Sequence, residues 1–144
     1  MQLPDPALEP EFYSDLLLKR LVAWVIDLLI TLVLVALAVV LSAFVGLFFL
    51  PLLYMSVSIA YRWVMLSNYS ATVGMMLCAI KLRHLDGQRP QSTICFWHAA
   101  IFSASMASVI GQIISLGLML TTPYRQGLND VILRTAMINR YLED

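Results

Sequence analysis

Apolar residues fill three long stretches of this chain, and polar residues gather between them. The first stretch runs from Leu21 to about Phe44, with Asp27 as its one charge. At about 1.5 Å per residue, a helix of that length crosses a hydrocarbon core of about 30 Å. Gly46 and Pro51 punctuate the next segment, and a second stretch, about residues 50–66, meets its first charge at Arg62. A tight turn near 45–50 would join the two as an antiparallel hairpin. The third stretch, residues 96–122, is richer in Ser, Ala and Gly and ends at Pro123. The pattern predicts an all-α, polytopic helical membrane protein with about three transmembrane helices.

The loop over residues 67–95 separates the second and third spans. Within it, residues 71–80 are apolar but too short to cross, which fits an interfacial or re-entrant helix. KLRHL, the Asp86–Gly87 dipeptide and QRPQSTI then predict a small hairpin, because Asp-Gly favours a two-residue turn. Residues 1–15 are acidic and contain prolines, and read as a flexible tail; residues 141–144 read as a short carboxy-terminal tail. Lys19 and Arg20 mark a membrane edge, and Lys81, Arg83 and Arg89 make the central loop basic. That distribution argues for a cytoplasmic amino terminus and a cytoplasmic loop. Three full crossings would then leave Arg125, Arg134 and Arg140 outside, so either the acids of that segment offset the rule or one segment is re-entrant and the tail returns.

Composition agrees with lipid as the solvent. Of the 144 residues, 60% are hydrophobic and 12% charged, with mean hydropathy +0.82, against about 25% charged in a soluble domain. The net charge of zero gives no case for a nucleic-acid partner. Cys78 and Cys95 stand far apart, outside any metal-spaced cluster, and read as two reduced thiols rather than a disulfide. GxSxG, HExxH, CxxC and phosphate-loop motifs do not occur. The expectation is therefore no enzyme, no catalytic residues, no metal and no cofactor.

Polar positions inside the spans carry the remaining information. Arg20 and Asp27 are seven residues apart and share a helical face, which continues through Thr31, Ala38 and Ser42. Insertion of an Asp at a helix centre costs about 2.5–3.5 kcal/mol, so an intramembrane carboxylate is a candidate functional group. Pairing with Arg20 or with Arg62 is the structural alternative. On the third span, His98, Ser105, Ser108, Gln112 and Ser115 form one polar seam. Beside it, Ala104 with Ser108 and Gly111 with Ser115 give small-residue steps that let helices pack closely. His98, next to Trp97, has an ordinary reading as an interfacial residue.

The combination resembles the RDD family of small membrane proteins, named for one arginine and two aspartates. RLVAWVID is similar to the family's R-x-x-A-x-x-x-D, through Arg20, Ala23 and Asp27. RQGLNDVILRTAMI resembles the RQALHDxxxGTxV ending, with Asp130 as the second aspartate. Thr72, Gly74, Lys81, Asp86, Gly87 and Pro90 fit the family's GQTxGKxxxGLRVVDxDGxxP segment. Departures are Ser70 and Ala71 for Gly-Gln, Met75 for a Lys, Ala79 for a Gly, Asn129 for a His and Arg134 for a Gly. The likeness makes residues 16–140 one transmembrane domain. It implies a multi-pass protein of a bacterial cytoplasmic membrane, and for some members a role in cation/proton exchange. On that reading Asp27 binds the ion beside Arg20, in a homo-oligomer, since one chain is too small to build two repeats. The alternative is an assembly or scaffold subunit that docks another membrane protein through the small-residue faces.

Overall fold

The computed structural model describes residues 2–140, so the tail expected over 141–144 lies outside the described residues. Helix α1 is Leu16–Leu41 and helix α2 is Leu50–Tyr69, with a 3-10 turn, Val45–Phe49, between them. Both are long and apolar enough to cross a membrane. Large residues such as Leu21, Leu29, Val33, Leu37 and Val40 point outward, while Ala23, Asp27, Thr31, Val35 and Val39 are buried on one face. The inward stripe thus continues through valines rather than through Ala38 and Ser42. The protein is inside-out relative to a soluble domain, as lipid requires.

The third expected span is not one helix. Helix α4, Ser92–Met106, and helix α5, Val109–Thr121, are bent by 117° at the break between them. Ser108 leaves helical geometry, with φ −125° and ψ 125°, and its hydroxyl accepts from the Gly111 N–H at 3.2 Å to cap α5. Gly111 backs onto Ser105, where an added Cβ would come within 3.1 Å of the Ser105 Cα. The small residues therefore serve this fold-back. His98, Ser105, Ser108, Gln112 and Ser115 do not form one continuous seam, because the helix that would align them ends at Met106.

The expected hairpin over residues 81–94 is also replaced. Strand β1, Ile80–His84, turns at Asp86–Gly87, but it pairs antiparallel with β2, Thr135–Asn139. The chain after the turn contains Pro90, which has no N–H for a ladder, whereas every residue of β2 is buried against the core. A short helix α3, Val73–Leu77, precedes β1, and α6, Leu128–Leu133, precedes β2. The amino-terminal segment is not a free tail: residues Pro10–Tyr13 form a 3-10 turn, and Leu3 and Tyr13 are buried. Asn139 ties this segment down by donating to the Glu11 and Ser14 carbonyls at 2.7 and 3.2 Å.

Together these contacts define one end of the molecule. The start of α1, the end of α2, the start of α4 and both strands meet there. Ser70 C=O accepts from the Leu82 N–H at 2.7 Å, and Trp63 Nε1 donates to Ser92 C=O at 3.1 Å. The α4–α5 pair leaves this layer and returns to it, so the carboxy-terminal strand lies on the same side as the amino terminus and the central loop.

Candidate functional site

Arg20 and Asp27 occupy one face of α1, as their spacing predicts, yet they do not pair with each other. Arg20 reaches across to α6, and Asp27 reaches to α2 and α3.

Arg20 donates to Asp130 Oδ2 at 2.7 Å and to the Arg125 carbonyl at 3.3 Å. Asp130 is fully buried and accepts from three further donors: the Gly127 N–H at 3.1 Å, the Thr135 hydroxyl at 3.1 Å and His98 Nε2 at 2.8 Å. The Asn129 amide nitrogen lies 3.0 Å from His98 Nε2 and 3.3 Å from Nδ1; with Nε2 donating to the carboxylate, Nδ1 is the ring nitrogen able to accept from it. His98 is 1% exposed and is therefore a core residue, not an interfacial one. Burial alone would raise the Asp130 carboxyl, but the Arg20 guanidinium and the His98 hydrogen bond hold it well below the usual carboxylate range. Gly127 packs closely here: a Cβ would lie 2.8 Å from the Met119 methyl and 3.2 Å from the Arg20 guanidinium, both ends of side chains that can shift.

Asp27, 2% exposed, sits in a second network. Its Oδ1 accepts from the Tyr61 hydroxyl at 2.8 Å and the Gly74 N–H at 3.0 Å, and its Oδ2 from the Thr72 hydroxyl at 2.6 Å. Arg62 provides the charge, 3.6 Å from Oδ2. Thr72 also caps α3 by accepting from the Met75 N–H at 3.3 Å. Gly74 lies so close to α1 that a Cβ would sit 2.2 Å from the Ala23 carbonyl oxygen. Arg20, Ala23 and Asp27 thus each meet a different partner: α6, the backbone of α3, and the donors of α2 and α3.

The remaining sequence-selected residues divide by position. Thr31 is buried and donates to the Asp27 carbonyl at 2.8 Å. Ser115 accepts from the Leu128 N–H at 3.1 Å, Ser108 and Ala104 are exposed, and Ser105 donates to Phe102 C=O at 2.8 Å. Met75, where the family has a Lys, is a buried core residue. Cys78 and Cys95 are free. Spacing could not find Tyr61, Thr72, Gly74 and Thr135 as carboxylate donors, because each lies on a different element from its acceptor. A small polar residue next to a Gly or a helix start is the faint signal they carry.

Two cavities adjoin the Asp27 network. One, of about 390 Å³, includes Thr31, Pro51, Tyr54, Ser58 and Ser103 in its lining. The other, of about 310 Å³, reaches Arg20, Met75, Ile80 and Met137 at the strand layer. Trp24, Asp27, Arg62, Phe102, Met106 and Gln112 line both, and the Arg62 guanidinium lies 3.8 Å from the centre of the Phe102 ring. Among the described residues, no three His, Cys, Asp or Glu side chains converge as metal ligands.

No curated protein and no solved structure matches this chain. The family model for the RDD family matches residues 16–134, a range that holds Arg20, Asp27, Asp130 and every helix that positions them. With its arginine and two aspartates each held in a defined pairing, this membrane protein belongs to the RDD family.

Proposed function

We propose that the chain is the membrane-embedded subunit of a transport system, binding a small polar solute between α1, α2 and the α4–α5 pair. One observation carries this reading: two cavities of about 390 and 310 Å³ meet at a shared wall of Asp27, Arg62 and Phe102. One cavity reaches the strand layer at Ile80 and Met137, and the other extends toward Pro51 at the start of α2. Polar groups thus follow one another through a region whose outer surface is apolar, the arrangement that marks solute pathways in membrane proteins.

Two crossings and a folded-back pair do not supply two repeats for alternating access, so the working unit is a homo-oligomer. The strand layer carries Lys81, Arg83 and Arg89 together with the amino- and carboxy-terminal segments, which supports a cytoplasmic position for that end in a bacterial inner membrane. Cation/proton exchange would run through Asp27. The donors on both oxygens of that carboxylate support a fixed group that joins three helices instead. The scaffold alternative loses its main support, because Gly111 packs inside the chain against Ser105.

The test is solute flux into vesicles reconstituted with the purified protein. Met55→Trp, which fills the larger cavity, abolishes the flux under this reading. Flux at the wild-type rate in that variant would refute it, and loss of cation-driven proton flux in Asp27→Asn alone would restore the exchange reading.

A further inference from the structure

We infer that the larger cavity takes a small oxyanion, specifically a monocarboxylate with a short apolar body, held by Arg62; this rests on the solute-binding reading above. Arg62 is only 7% exposed. A guanidinium carries five N–H donors and is never deprotonated in proteins. Among the described residues, none of these donors has a protein acceptor within hydrogen-bond distance, and the nearest carboxylate oxygen, on Asp27, is 3.6 Å away. Asp27 is its charge partner, but the hydrogen bonds to that carboxylate come from Tyr61, Thr72 and Gly74, and the Arg62 contact is longer than a hydrogen bond.

Arg20, the half-buried arginine of α1, is by contrast engaged and bonds Asp130 at 2.7 Å. Leaving a buried donor unsatisfied costs about 1–3 kcal/mol, more for a charged group. Arg62 instead lines both cavities, with its guanidinium carbon 3.8 Å from the centre of the Phe102 ring. Planar, two-pronged recognition of a carboxylate is what that geometry suits. Tyr54, Ser58, Ser103 and Gln112 add neutral polar groups around the same space, and Asp27 is the one acid in its lining. Leu28, Pro51, Met55 and Met106 give the apolar part of the wall. Arg62 also lies seven residues before the end of α2 at Tyr69, about 10 Å along the helix and within the candidate span rather than at its end. A free anion therefore fits better than a headgroup.

The experiment uses the full chain in phosphatidylcholine nanodiscs, titrated with sodium butyrate against sodium chloride at equal ionic strength. Calorimetry and thermal unfolding are the readouts. Butyrate is expected to raise Tm in a saturable way. Arg62→Gln weakens binding by about tenfold or more, and Arg62→Lys gives an intermediate value because charge is kept but the fork is lost. Met55→Trp removes the response without touching the ion pair and leaves the ligand-free Tm in place; it decides the question if Arg62→Gln does not fold. The inference is overturned by no butyrate response in the wild type, or by an equal response in the variants. A Tm rise that follows sodium, or Arg62-dependent retention of phosphatidylglycerol that butyrate does not displace, overturns it too. Butyrate binding without flux defeats the transport reading alone, while Met55-sensitive flux of a neutral solute without butyrate binding defeats the anion inference alone.

Discussion

Gly74→Ala is a one-carbon change with a large expected effect. The added Cβ would lie 2.2 Å from the Ala23 carbonyl oxygen and 2.9 Å from both the Ala23 carbonyl carbon and Asp27 Oδ1. Two of those atoms are backbone of a long helix, so no rotamer change relieves the contact. Reaching an ordinary separation of 3.4 Å from the carbonyl oxygen means moving α3 away from α1 by about 1.2 Å. That retreat breaks the 3.0 Å hydrogen bond from the Gly74 N–H to Asp27. Overpacking of this kind costs about 1–3 kcal/mol, and a hydrogen bond to a charged group contributes about 1.5–3 kcal/mol. At roughly 2–4 °C per kcal/mol for a chain of this size, Tm should fall by at least about 5 °C. Thermal unfolding in detergent or nanodiscs measures it. Gly117→Ala is the matched control, since nothing lies within 4 Å of its added Cβ; it should gain stability of about 1 kcal/mol from helix propensity. Ala23→Gly should not rescue Gly74→Ala, because the obstacle is the carbonyl and not the methyl. An unchanged Tm in Gly74→Ala, or rescue by Ala23→Gly, would refute the reasoning.

Three further outcomes are expected. Arg20 and Asp130 should show strong coupling in a double-mutant cycle, about 1–3 kcal/mol, while Arg20 and Asp27 should be nearly additive despite sharing a helix face; coupling in the second pair would show that the pairing is wrong. Because the folded Asp130 carboxyl is held below its unfolded value, its stabilisation is complete above about pH 4 and is lost as pH falls further; Asp130→Asn should flatten this acid limb of the Tm–pH curve and cost about 3–5 kcal/mol at neutral pH. Ala79→Gly and Arg134→Gly should each raise Tm, since both residues have φ of 55° and the left-handed region costs a residue with a Cβ about 1–2 kcal/mol; a fall in Tm would mean that the side chains contribute more than the backbone loses.

Those last two positions explain part of the departure from the family pattern. Ser70, with φ 56°, Ala79 and Arg134 stand at glycine positions of the pattern that the sequence resembles, and all three adopt the left-handed conformation that glycine favours. At Ser70 the side chain is used: its hydroxyl accepts from Arg89 Nε at 3.1 Å and from Arg83 at 3.4 Å, joining the end of α2 to the basic loop. Asn129, in place of a histidine, takes up a ring nitrogen of His98 and so closes the Asp130 network in another way.

By itself the sequence determined the solvent, the two crossing helices and the face on which Arg20 and Asp27 lie. Those properties depend on the length of an apolar run and on a seven-residue spacing, both of which are local. It also marked Asp130, through a short pattern, as part of the same unit. Only the tertiary structure decided who pairs with whom. The donors to Asp27 come from positions 34–47 residues away and Arg20 meets Asp130 across 110 residues, and helical spacing says nothing about a partner on another element. The same limit hid the fold-back of α4 and α5, the β1–β2 pairing and the return of β2 to the end where α1 begins. A capped break at Ser108 and a strand partner near the end of the chain depend on what each segment finds to pack against. The choice between one ion pair and two networks was therefore made by packing: α3 seats Thr72 and Gly74 on Asp27, and Arg62 is left facing the cavity.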